Sequence, residues 1–69
     1  MKISPRNIIP GTIVAIKKGV TTSHVRRDIG TGNFITSPIT NEAVDDLKLA
    51  VGGKASAIVK SSEVMIAVD

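Results

Sequence analysis

Ser4-Pro5-Arg6-Asn7 puts a hydroxyl, a guanidinium and a carboxamide into four residues, with no carboxylate among them. All three side chains donate hydrogen bonds, and the arginine offers a rigid fork of donors that matches paired oxygen atoms. Near the other end, Lys60-Ser61-Ser62 repeats this chemistry with an ammonium and two hydroxyls, free of acid until Glu63. Donor-rich clusters without acids suit an oxyanion, and the fold is expected to bring the two ends together around one. The same spacing also fits a plain polar entry to a first strand and a solvated strand end. The residues alone leave both readings open.

Nothing here indicates a reaction. There is no cysteine, and His24, the single histidine, has no evident catalytic partner. It reads as a polar residue on a half-exposed strand, with a place beside an inter-subunit anion as the alternative. The same counts rule out a thiolate metal site and argue against a histidine-built one within one chain.

The elements that must position the donors are mostly strands. Ile8 and Ile9 lead into Pro10-Gly11, a turn or bulge signal, and Thr12–Ile16 is dense in β-branched residues. Lys17-Lys18-Gly19 closes that strand, and Val20–Ile29 opens a second. Alternation puts Thr21, Ser23, Val25, Arg27 and Ile29 on one face, and Val20, Thr22, His24, Arg26 and Asp28 on the other. Neither face is cleanly apolar, so this strand bends or lies at an interface. Gly30-Thr31-Gly32-Asn33 is a hairpin signal, and Phe34–Ile39 a third strand whose Pro38 marks an edge.

Then the period changes. Thr40 or Asn41 can cap a short helix carrying Glu42, Asp45 and Asp46, where the dipole favours acids in the first turns. Ala43, Val44 and Leu47 share a face able to plug one end of a sheet. After Gly52-Gly53, Lys54–Lys60 and Glu63–Val68 read as two last strands. The second is almost continuously apolar, as a strand buried on both sides would be. Five strands with a helix between the third and fourth give an all-β class, an OB-fold-like Greek-key barrel.

Residues 1–69 make a single domain, and one this short buries only about 60% of its unfolded surface. Without disulfides, its stability is expected to come from association into a homo-oligomer. The formal charge of +3 favours anionic partners. A nucleic-acid-binding β-domain, either of OB type or a swapped-hairpin regulator, is the competing class. Phe34 is the only aromatic residue, so no stacking platform for single strands can be built, and no long helix can enter a groove. The balance points to a small anion. No segment approaches the length of a membrane span and no signal-peptide run opens the chain, so the expectation is a cytoplasmic protein.

Taken together, Ser4-Pro5-Arg6-Asn7, Lys18-Gly19, Gly30-Thr31-Gly32-Asn33 and Val59-Lys60-Ser61-Ser62-Glu63-Val64-Met65 resemble the molbindins. These are small molybdate-binding Mop proteins related to TOBE domains, and their pattern of Ser-Ala-Arg-Asn, Lys-Gly, Gly-Gly-Asn and a closing Lys-Ser step runs in the same order. The resemblance spans essentially the whole chain. It implies an OB-type barrel assembled as a hexamer of three dimers, holding molybdate or tungstate between subunits, with no catalysis and no further cofactor. The ligands it implies are Ser4, Arg6, Thr40, Lys60 and Ser61. A second site would use backbone around Lys18, Gly19 and Val20. Three features depart from the pattern. Pro5 stands where Ala is usual, and Ala43 where relatives often carry a Ser that reaches the anion. Arg26 and Arg27 stand at commonly apolar positions, and are taken as an altered outer face in preference to added anion attraction.

Overall fold

The longest element, β1 (Asn7–Lys18), changes partner half-way along its length. Its first half, Asn7–Thr12, pairs antiparallel with β4 (Lys54–Val59), and its second half, Thr12–Lys18, pairs antiparallel with β2 (Thr22–Gly30). In this computed structural model, which describes residues 2–69, β3 (Asn33–Thr40) adds to the free side of β2, giving the order β3-β2-β1-β4. Pro10-Gly11 lies at the change of partner. It does not stop the strand; the register shift falls later, between Ile13 and Ala15. Gly11 is needed because β2 crosses so closely that a Cβ there would stand 2.8 Å from the Asp28 carbonyl oxygen. Neither backbone can yield cheaply, so Gly11→Ala is expected to cost about 1–3 kcal/mol in urea unfolding. An unchanged midpoint would show that the two strands part without penalty.

The hairpin is where the sequence places it. Thr31 (φ 54°) and Gly32 (φ 77°) form a two-residue loop with both φ angles positive, the geometry whose twist matches the flanking strands. Asp28 Oδ1 accepts from the Gly30 N–H at 2.8 Å and steadies the entry. Pro38 lies on β3 at the sheet edge, as expected. The second strand starts at Thr22, two residues later than expected, because Val20 and Thr21 belong to a turn pinned from the helix side.

Thr40 caps α1 (Asn41–Asp46), its Oγ1 accepting from the Ala43 N–H at 3.0 Å. Val44 is buried against Ile13 and Val25, and Ile16, Ile39, Leu49 and Ala55 pack around these three. Leu47 does not join Ala43 and Val44 in plugging the sheet. It falls at the helix C-cap, where the chain leaves the helical path, and is 67% exposed.

Two further expectations are corrected. Glu63–Val68 is not a strand: Ser61–Glu63 forms one 3₁₀ turn, and the residues after it join no strand pairing among the described residues. Met65, Ile66 and Val68 are each more than 90% exposed. A strand needs a free edge to pair with, and this tail does not lie along one. The chain therefore supplies four strands of a curled, open sheet, and its β3 and β4 edges remain unjoined. The second correction is Arg27, which is 6% exposed and belongs to the inner face of β2 with Ser23 and Val25. Only Arg26 lies on the outer face, its guanidinium 4.1 Å from the centroid of the Phe34 ring.

Candidate functional site

The antiparallel pairing of β1 and β4 sets Asn7 opposite Val59. That register brings the two donor clusters, from opposite ends of the sequence, to one end of the sheet. Asn7 joins them directly: its amide donates to the Val59 carbonyl at 3.2 Å and to Ser61 Oγ at 3.4 Å. Ser4, Pro5, Arg6, Lys60, Ser61 and Ser62, with Ile58, then line one open cleft of about 660 Å³. The 3₁₀ turn tightens the Lys60–Glu63 segment through a 2.8 Å bond from the Glu63 N–H to the Lys60 carbonyl. This turn presents the serines beside the ammonium. Every polar side chain in the lining donates, and none is a carboxylate. The missing amide hydrogen of Pro5 removes one backbone donor from it.

Thr40 is placed elsewhere. It does not line this cleft, and its hydroxyl is engaged in capping α1. It pairs with Thr22 across β2 and β3, at the end of the sheet that carries the Lys18-Gly19 turn. Within one chain, four of the five expected anion ligands come together and the fifth does not.

Lys18 and Gly19 border a smaller depression of about 140 Å³, shared with Lys17, Thr22 and His24, and Val20, the third residue expected there, does not line it. Asn41, read from the sequence only as an alternative to Thr40 for the helix cap, organises the turn at Lys18, Gly19 and Val20. Its amide nitrogen donates to the carbonyls of Gly19 (3.0 Å) and Val20 (3.3 Å), while its backbone N–H donates to the Thr21 carbonyl (2.9 Å). Its Oδ1 accepts from the buried Ser23 hydroxyl. With these carbonyls turned toward α1, the amides are left facing the other way. The Gly19 N–H is committed to the Thr22 carbonyl at 2.8 Å, so Gly19 shapes the turn more than it offers a donor. The Lys18 ammonium reaches Asp45 at 3.6 Å, but both side chains are mostly solvated and the pair holds it loosely. The signal that could have revealed Asn41 was its position directly after the capping Thr40, where a carboxamide can reach back across a hairpin.

Comparison with known proteins settles the family. Residues 3–66 match the TOBE domain model. The chain belongs to the TOBE-domain family, and to its molbindin branch. Molybdenum-pterin-binding protein 2 of Clostridium pasteurianum is 46% identical over 66 residues, spanning 96% of this chain and 97% of that protein. The structure of a molybdate-binding protein from Sporomusa ovata superposes with a TM-score of 0.91 at 35% identity, covering 99% of this chain and all of that one. A molybdate-bound form of ModG, described as a cytoplasmic molybdate-binding protein, superposes with a TM-score of 0.89 at 40% identity. It covers 94% of this molbindin and 46% of that longer chain. Among the described residues no helix is long and apolar enough to cross a membrane.

Proposed function

We propose that this molbindin is a cytoplasmic oxyanion-binding protein that takes up molybdate, and tungstate with it, for molybdenum storage and homeostasis. The observation that carries the proposal is the cleft in which Ser4, Arg6, Lys60 and Ser61 converge without a carboxylate. Molybdate is a tetrahedral dianion whose oxygens accept hydrogen bonds and need no deprotonated ligand. Arg6 offers a planar fork, Lys60 a compact charge, and the serines adjustable hydroxyls. Charge-assisted bonds of this kind are the strong ones, and they favour an anion over water. Sulfate carries the same charge, so selection against it rests on the size of the closed cavity. No step of bond making or breaking is part of this function.

The cleft of a single chain is open, and the reading includes its closure by other copies. In a hexamer of three dimers, Thr40 of one subunit completes the Ser4-Arg6-Lys60-Ser61 cluster of another. A second copy's tail fills the gap between β3 and β4 as the fifth strand of the barrel. The exposed apolar run Val64–Val68 supports this, since a surface so apolar is stable in water only when covered. The turn at Lys18, Gly19 and Val20 supplies the second kind of anion site, with the Val20 amide and the Lys18 ammonium as its donors. The alternative of a nucleic-acid-binding domain has less behind it, because the one aromatic ring, Phe34, is already covered by Arg26.

Isothermal titration with molybdate in buffer containing excess sulfate tests the proposal. Saturable heat at about one anion per chain or slightly more is expected. No heat, and none with tungstate, would reject the function.

A further inference from the structure

Arg27 is the most anomalous side chain in the molecule. It is 94% removed from solvent, its Nη2 donates to Ser37 Oγ at 2.7 Å, and among the described residues its buried Nε finds no acceptor. Among the described residues the sole ion pair is Lys18–Asp45, so no carboxylate of its own chain neutralises it. Guanidinium stays charged at any physiological pH, and a buried charge without a counter-ion is strongly disfavoured. The group borders a cleft of about 260 Å³ between β3 and β4, whose other walls include Ile35, Ile39, Leu49, Ala57 and Val59. An apolar slot with one unpaired cation calls for an apolar segment carrying one acid.

The molecule itself contains such a segment. If Val64–Asp69 is extended, alternation places Met65, Ala67 and Asp69 on one face and Val64, Ile66 and Val68 on the other. One face is uniformly β-branched and apolar. The other ends in a small residue followed by an acid, which leaves room for a guanidinium and then meets its charge.

We propose that Arg27 receives the Asp69 carboxylate of a second copy, whose tail enters the β3–β4 cleft with Met65, Ala67 and Asp69 turned inward. This rests on the oligomeric reading above and adds to it the register and facing of the tail. Arg27 then acts as the element that tells the correctly seated tail from one slipped by a residue, because a slip would turn Asp69 away from the cleft and leave the cation bare.

A double-mutant cycle on the oligomer tests the pairing, with Arg27→Met, Asp69→Ala and both together, read as dissociation constants by sedimentation. Each single variant is expected to weaken assembly about tenfold or more, since each leaves one charge buried alone. The double variant is expected to recover most of that loss. Isotope-filtered nuclear Overhauser effects in mixed-label oligomers of the unsubstituted protein give a second readout that needs no variant. Contacts from Asp69 to Arg27 and Ser37 between copies are expected. Additive losses without such contacts, in an oligomer that still binds molybdate, would overturn the pairing and leave the proposed function standing. The same contacts found within single chains at high dilution would assign the cleft to the chain's own tail. Absence of any oligomer would remove the assembly reading as well.

Discussion

Replacing Arg6 and Lys60 together by alanine is expected to reduce molybdate affinity by between roughly 150-fold and more than 10,000-fold. The estimate takes about 1.5–3 kcal/mol for each charge-assisted hydrogen bond and about 1.4 kcal/mol per factor of ten. Lys60→Ala alone should account for roughly 10- to 150-fold of it. Both side chains are exposed and, among the described residues, neither makes a side-chain hydrogen bond or ion pair, so their loss should leave folding untouched. Melting temperature and oligomer size are the controls. Arg6→Lys separates charge from shape: it keeps the cation but loses the fork, and should fall between wild type and Arg6→Ala. Titration calorimetry of these variants reads the effect directly. Wild-type affinity in the double variant would exclude this cleft as the main anion site, and attention would pass to the turn at Lys18.

The cleft was legible because its residues are contiguous at each end of the chain, and because chemistry, not packing, marks them. Ser4, Arg6, Lys60 and Ser61 needed only an antiparallel register to meet, and the β1–β4 pairing supplies it. Asn41 was not legible as the clamp of the Gly19–Thr21 turn, since its bonds span about twenty residues and depend on where a hairpin leaves its base. Arg27 was misread for a different reason. Period-2 alternation put it with Ser23 and Val25, yet a charged side chain is so rarely buried that residue type outweighed position. The structure follows the alternation. The hairpin was secure because Gly30 and Gly32 both take positive φ angles, which glycine adopts freely, and they hold the turn although the β-branched Thr31 between them is also at positive φ.

The tail expectation failed within the chain, where Glu63–Val68 forms no strand, and the apolar run left exposed yields the second large effect. Val64–Val68 has the sequence of a strand buried on both faces, but the single chain leaves it exposed, and the proposed assembly is what would bury it. Removing residues 64–69 is therefore expected to dissociate the oligomer. Val64, Met65, Ile66 and Val68 are exposed in the single chain. Burying four such side chains contributes up to about 6–12 kcal/mol per tail, at about 1.5–3 kcal/mol each. Sedimentation at micromolar concentration should find smaller species for the shortened chain than for the intact protein, whose proposed assembly is a hexamer. The freed β3 and β4 edges are also expected to make the shortened chain prone to aggregation, so Ile66→Ser, which keeps the tail but weakens its seat, is the gentler companion variant. The two large effects differ in their signatures. Without Arg6 and Lys60 the assembly persists and the anion is lost. Without the tail the four donors of the cleft remain on each chain, but the proposed contribution of a neighbour's Thr40 should be lost with the assembly, and molybdate affinity is expected to fall. A shortened chain that kept both its size and its molybdate stoichiometry would place the subunit contacts elsewhere on the sheet.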